Sequence, residues 1–310
     1  MTPPAPVDRR QVAVRICSGL GNQLFQFACG LSLAGKLGAE LRLDTSWFSL
    51  VARMHHPVRR LRLRDLGLDA PEAFVPPRRL AVGLLVAVFD RWRRGRALLE
   101  AVGGMKLIQE TQIMRRREWN DVAGHDRLYL NGYWQTGDHF LQVRDELHRR
   151  LGFETRCTSP GAAALLAAIR ARPTAFVHVR RGDYTELMGE SGLLSPGYYR
   201  RAAAALAGAA GNLSWLVFAE DADWARANLG FLGDWTLAAY ESPDRDLDDL
   251  HLMSACSAGI VANSSYSWWG GALGDRTDRP VVAPATYWNR PETGLEEWAL
   301  PGWQRIKGWD

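Results

Sequence analysis

The chain has 310 residues, of which 47% are hydrophobic and 23% charged, with a formal net charge of +4. That length suits one large or two medium domains, and the composition excludes wholesale disorder. The small cationic excess makes no case for nucleic acid. Cys17, Cys29, Cys157 and Cys256 form no C-x-x-C pair, so they read as buried free thiols rather than as a zinc site or disulfide framework. MTPPAPVDRR lacks the apolar run of a signal peptide. The longest apolar stretch, Leu80 to Phe89, is about half the length that spans a bilayer. A soluble, cytoplasmic protein is expected.

In chain order, Gln11 to Cys17 alternates like a strand, Ser18 to Asn22 reads as a turn, and Leu24 to Leu37 has helical apolar spacing. Glu40 to Asp44 is the next expected strand. Such a strand–turn–helix–strand unit builds a parallel sheet. Residues 51–127, with Pro57, Pro71, Pro76 and Pro77, read as short helices and loops. Within them Arg78 to Arg96 has an apolar centre and basic flanks. It is a candidate for peripheral contact at the inner face of an anionic membrane, although a solvated surface helix is the commoner outcome. Leu128 to Tyr133 resembles a strand.

The second half alternates regularly. Ser159-Pro160 and Ser195-Pro196 are helix starts, with Ser at the N-cap and Pro at the first helical position. Strands are expected at Thr174 to Val179, Leu213 to Phe218, Trp235 to Ala239, Gly259 to Ala262 and Pro280 to Ala283. Helices are expected at Ala222 to Leu229, Asp244 to Cys256 and Tyr266 to Leu273. This pattern predicts a doubly wound α/β domain, with a boundary near residues 153–160 separating the halves. Ligands of such domains sit beyond the carboxyl ends of the strands.

Four segments fall there. His178-Val179-Arg180-Arg181-Gly182-Asp183 places two guanidiniums after a strand, and Arg can fork onto phosphate oxygens. A cation there stabilises a departing diphosphate more in the transition state than in the ground state. A structural Arg181–Asp183 pair is the competing reading, and His178 could equally be a satisfied core residue. Asn263-Ser264-Ser265 opens a helix, whose N-terminus is an anion site or simply a capped end. Gly19-Leu20-Gly21-Asn22-Gln23 is a partial dinucleotide fingerprint with Leu24 at the third glycine, a weak match, although its glycines let backbone approach a substrate. Glu220-Asp221-Ala222-Asp223 contains an Asp-x-Asp that could hold a metal, or acids favoured by a helix dipole. The 13 Trp could be sugar platforms or core.

Five ordered segments together resemble the α-1,2-fucosyltransferases of glycosyltransferase family 11. They are GLGNQLFQFACGLSLA, GYWQ at Gly132 to Gln135, HVRRGDY at His178 to Tyr184, LMSACSAGIVANSSYSWWGGAL at Leu252 to Leu273, and APATYW at Ala283 to Trp288. Where that family usually has Ser-Asp-Asp, this chain has Ala219-Glu220-Asp221, which puts a role for the first position in doubt.

The resemblance implies a GT-B-like α/β fold with two Rossmann-like domains facing a cleft: an acceptor-side domain over 1–155 and a GDP-fucose-binding domain over 156–310. It implies inverting, metal-independent transfer from GDP-β-L-fucose, with no cofactor, to the 2-hydroxyl of a galactose-terminated oligosaccharide or glycolipid, such as a lipopolysaccharide precursor. Arg180 would bind the diphosphate, His178 would lie near the nucleotide or sugar, and Ser264 and Ser265 near the phosphates beside Asn263. Asn22 and Gln23 would face the cleft on the acceptor side. For the general base, Asp183 is preferred over Glu186, Glu190 and Asp44. The rivals are another sugar-nucleotide transferase, including a metal-dependent one using Asp221 and Asp223, a nicotinamide enzyme, and a non-enzymatic carbohydrate-binding protein.

Overall fold

The computed structural model describes residues 10–50, 58–89, 100–102, 104–111, 114–153, 159–182, 185, 189, 192–274, 278–289 and 297–310. The chain divides into two compact units, Met1–Leu151 and Gly152–Asp310.

The first unit is built on a four-stranded sheet. Its strands are β1 (Gln11–Arg15), β2 (Glu40–Asp44), β3 (Lys106–Gln109) and β4 (Arg127–Asn131), in the order β2-β1-β4-β3 and all parallel. Val12, Ala13 and Val14 of β1 are wholly buried, as parallel strands covered on both faces must be. Helix α1 (Leu20–Leu37) follows β1 directly. It starts earlier than the sequence pattern implies, because Gly19 serves as its N-cap and the glycine-rich stretch is its first turn. It ends at Gly38, whose left-handed backbone (φ 59°) lets its N–H reach Ala34 and Gly35 carbonyls. A side chain at Gly30 would meet Val14 and Leu41 within 3 Å, so glycine lets α1 lie close on the sheet. Helices α2 (Ser46–Leu50), α3 (Arg78–Phe89) and α4 (Gly137–Leu151) complete the unit.

Strand β3 corrects the expectation of helices and loops alone over 51–127. It is four residues long with two inward positions, too short for alternation to register. Residues 90–96 of the basic stretch lie outside the described residues, as does Cys157. Among the described residues no helix is long and apolar enough to cross a membrane.

The second unit carries six parallel strands: β5 (Thr174–Val179), β6 (Ser214–Ala219), β7 (Trp235–Leu237), β8 (Ala258–Ile260), β9 (Val281–Pro284) and β10 (Gln304–Ile306). Their order is β10-β9-β8-β5-β6-β7. Between them run α5 (Pro160–Ala171), α6 (Pro196–Ala210), α7 (Ala222–Asn228), α8 (Arg245–Ala255) and α9 (Ser265–Ala272). Ser159 and Ser195 cap α5 and α6 as expected, accepting from Ala162 and Tyr198 N–H at 3.3 and 3.2 Å. Strand β10 had no expectation attached to it; only Ile306 of its three residues is even half-buried.

Trp268, Trp269 and Trp298 are fully buried, and the Trp268 indole donates to the Trp298 carbonyl. These rings are core. Arg279 is buried among carbonyls: its guanidinium donates to Met253, Ser254, Cys256, Gly270 and Gly271. Those carbonyls belong to the ends of α8 and α9, where helix dipoles are negative, so the cation ties the two helix ends together.

Candidate active site

In an open α/β sheet, ligands collect where the strand order reverses direction. In the second unit the chain runs outward from β5 through β6 to β7, then returns to the other side of β5 as β8. The reversal lies between β5 and β8, which pair from Ala175↔Ala258 to Val177↔Ile260. The loops leaving those two strands are Arg180-Arg181 and Asn263-Ser264-Ser265. Two segments more than 80 positions apart in sequence thus emerge at one edge, with Glu220-Asp221 beside them at the end of β6.

His178 is buried on β5. Burial, with Arg180's charge as a smaller contribution, lowers its pKa to about 3, so the imidazole is neutral near pH 7. Its ring centroid lies 5.8 Å from that of Tyr266. Its Nδ1 is buried without a hydrogen-bond partner among the described residues. The Arg180 main-chain N–H is bound by the Tyr199 hydroxyl, and its Nη1 donates to Glu220 Oε1 at 2.8 Å. Arg181 diverges from it. Its guanidinium lies 4.8 Å over the Trp224 ring, with Nε 3.5 Å from Asp221 Oδ2.

On the β8 side, Asn263 is wholly buried. Its amide donates to the Gly192 and Tyr287 carbonyls at 2.9 and 3.1 Å, while its Oδ1 is buried and unpartnered among the described residues. Ser264 is the N-cap of α9, accepting from the Tyr266 N–H at 3.3 Å. Ser265 begins the helix and is half-buried. Ser267 accepts from the Ala262 N–H at 3.1 Å and so fixes the loop from inside.

The acidic run beyond β6 has local roles. Asp221 caps α7 through the Trp224 N–H at 2.9 Å. Asp223, almost wholly exposed, pairs with Arg226. These are first-turn acids in the sense of the dipole argument. Asp183, Glu186 and Glu190 lie outside the described residues.

The reversal in the first unit lies between β1 and β4, and amides line it. Asn22 donates to Ser18 Oγ at 3.0 Å and accepts from Gln135 at 2.6 Å. Gln23 is wholly buried. It donates to the Ser18 and Arg60 carbonyls and accepts from the Arg62 N–H. Gln26, also wholly buried, accepts from the Cys17 N–H and donates to the Gly132 carbonyl. At the end of β3, Glu110 accepts the Tyr133 and Trp134 N–H groups at 2.6 and 3.0 Å. Burial raises its pKa, and those two hydrogen bonds partly offset the rise. They pin a turn in which Trp134 has φ +55°, a strained value for a bulky residue. Asp44 accepts from the Tyr129 hydroxyl and the Ser46 N–H and is 1% exposed, which leaves a substrate hydroxyl no access to it.

Sequence reasoning missed Gln26, Tyr199 and the Arg180–Glu220 pair. Gln26 carried a signal, since a Gln three residues after Gln23 puts two amides on the buried face of an apolar helix. The other two depend on neighbours supplied by the fold.

Two units, each with a parallel sheet crossed by helices, make this an α/β protein of the GT-B-like type. At fold level it is similar to an Arabidopsis thaliana FUT1 mutant in complex with GDP (TM-score 0.51, 12% identity, 92% of this chain and 73% of that one). The model of glycosyl transferase family 11 matches residues 114–307, and the chain belongs to that family. It is 26% identical to an Escherichia coli alpha-1,2-colitosyltransferase over 96% of this chain and 99% of the relative. It is 23% identical to the E. coli O-antigen biosynthesis glycosyltransferase WbnK, over 91% and 98% respectively. The protein is a glycosyltransferase.

Proposed function

We propose that the enzyme transfers fucose, with inversion, from GDP-β-L-fucose to the 2-hydroxyl of a terminal galactose on a surface-glycan or lipopolysaccharide precursor, at the cytoplasmic face of the membrane. One observation carries the reading: Arg180 and the Asn263-Ser264-Ser265 helix start share the reversal edge between β5 and β8. A permanent cation and the N-terminus of α9 together offer a nucleoside diphosphate both charge and oriented N–H groups. His178 is neutral by virtue of its burial, so it serves the nucleotide or sugar as a hydrogen-bonding group rather than as a second cation. Asn263 Oδ1 and His178 Nδ1, buried and unpartnered among the described residues, are spare polar capacity at that same edge, and such groups call for a partner.

On this reading the second unit holds the donor and the first holds the acceptor. Asn22, hydrogen-bonded to Gln135, stands at the acceptor side, and Gln23 shapes the loop from beneath. Arg180 neutralises the leaving diphosphate without a metal. Asp183 takes the proton from the acceptor hydroxyl.

The test is incubation with GDP-fucose and a panel of β-galactosides in EDTA. Transfer to the 2-hydroxyl is expected. Folded protein that transfers nothing, or that needs an added divalent ion, would overturn the respective part of the reading. Asp183→Asn should lower kcat about 10²-fold or more with little change in GDP affinity. A second reading, a colitosyl donor, is favoured by the name of the E. coli relative at 26% identity. Competition between fucosyl and colitosyl nucleotides in one assay separates the two.

A further inference from the structure

Two consecutive arginines leave β5 and meet two consecutive acids leaving its neighbour β6, continuing the register Val179↔Ala219. The two pairs are built differently. Asp221 is committed to the fold, because it caps α7 and its Arg181 partner lies on Trp224. Glu220 has no such role. Its side chain is 57% exposed, whereas that of Arg180 is 15% exposed. Among the described residues the carboxylate's one hydrogen bond is from Arg180 Nη1, at 2.8 Å. A Cβ at Gly182 (φ +33°) would fall 1.7 Å from Glu220 Oε2, so a larger residue there would push the carboxylate off its present position.

A carboxylate oxygen against a guanidinium occupies the same kind of position as a phosphate oxygen, since the Arg fork matches both anions. The geometry points to Glu220 as a placeholder for the donor's diphosphate. It holds Arg180 aimed while no donor is bound, gives it up when a nucleoside diphosphate binds, and thereby sets donor affinity. Glu220 is on this account a positioning residue acting through Arg180, and the inference rests on the diphosphate role given to Arg180 above. The exchange is open to the donor because the Glu220 end of the pair faces solvent, and a diphosphate brings Arg180 more than one phosphate oxygen to fork onto. The carboxylate, left close to the diphosphate, also repels it, and that repulsion is screened by salt.

The test measures GDP and guanosine binding by titration calorimetry for wild type, Glu220→Gln, Arg180→Ala and the double variant. Donor and acceptor KM are measured on the same preparations. Glu220→Gln should tighten GDP binding about two- to ten-fold and lower the donor KM by the same factor. Guanosine binding and acceptor KM should not change, and the gain should shrink as salt rises. The double variant should gain nothing over Arg180→Ala. Unchanged or weaker GDP binding in Glu220→Gln overturns the placeholder. So does a gain that persists without Arg180. If Arg180→Ala itself binds GDP like wild type, the diphosphate reading fails, and it fails in a different arm. Because Glu220 is exposed, its variant should melt with the wild type, and Glu220→Ala provides a second variant on which the GDP gain must recur.

Discussion

The two reversal edges differ in how their polar groups are partnered. Between β1 and β4, Asn22, Gln23, Gln26 and Gln135 are uncharged and bonded to one another or to backbone. Between β5 and β8 stand Arg180, paired with Glu220, and two buried polar atoms without partners among the described residues, His178 Nδ1 and Asn263 Oδ1. A satisfied amide network fixes a loop's shape, and the cation that ends β1, Arg15, donates to Asn131 at the end of β4. A charged edge with spare capacity suits an anion. The contrast is what divides donor from acceptor in the proposed reading, and each variant below bears on one side of it.

The largest expected effect is at the charged edge. Arg180→Lys keeps the charge and loses the fork, so kcat/KM should fall about 10²- to 10³-fold with normal folding. Arg181→Lys should fall far less, since its partners are Trp224 and Asp221. Equal losses in the two variants, read from steady-state kinetics, would erase the distinction between ligand and support.

Next comes the amide edge. Gln23→Leu leaves the Ser18 and Arg60 carbonyls and the Arg62 N–H without their partner. The loss should be about 2–4 kcal/mol of stability, read by denaturant melting. GDP affinity should survive in whatever fraction remains folded. A variant as stable as wild type but without GDP binding would place the donor in the first unit and reverse the assignment.

How much of this was legible beforehand differs between the same two regions. The second unit announced itself through local signals. Ser-Pro caps, alternating strands and β5 itself all come from residues adjacent in sequence. The family resemblance singled out Arg180 and Ser264, but only the strand order brings the two loops to one edge. The first unit was harder to read because its sheet closes through β3, four residues within a proline-rich stretch. Gln23 was picked out as a cleft residue. The fold instead commits its amide to three backbone groups, a task that depends on Arg60 and Arg62 arriving from nearly forty positions away. Glu220 was visible only as part of an acidic run, because its significance lies in a neighbour from another strand.

The smallest effect compares the units through their buried histidines. His139 of the first unit is held at about 4 by burial, against a smaller upward pull from Asp138. His178 of the second is held at about 3 by burial and Arg180. Both are neutral when folded and titrate near 6.5 when unfolded. Below pH 6.5 the unfolded chain therefore binds protons that the folded chain refuses, so stability falls as pH drops. The loss tapers off near pH 4 for His139 and near pH 3 for His178. Each site contributes a slope of up to about 1.4 kcal/mol per pH unit inside its window. Glu110 and Asp249, whose pKa values burial raises, work the other way. They bind protons more readily when folded and offset part of the slope as their own range is entered. Between pH 6.5 and 4 each histidine contributes its own slope, which its variant removes. His139→Gln and His178→Gln should each flatten the melting temperature against pH there. Only His178→Gln should also alter GDP affinity, because only that histidine stands at the charged edge.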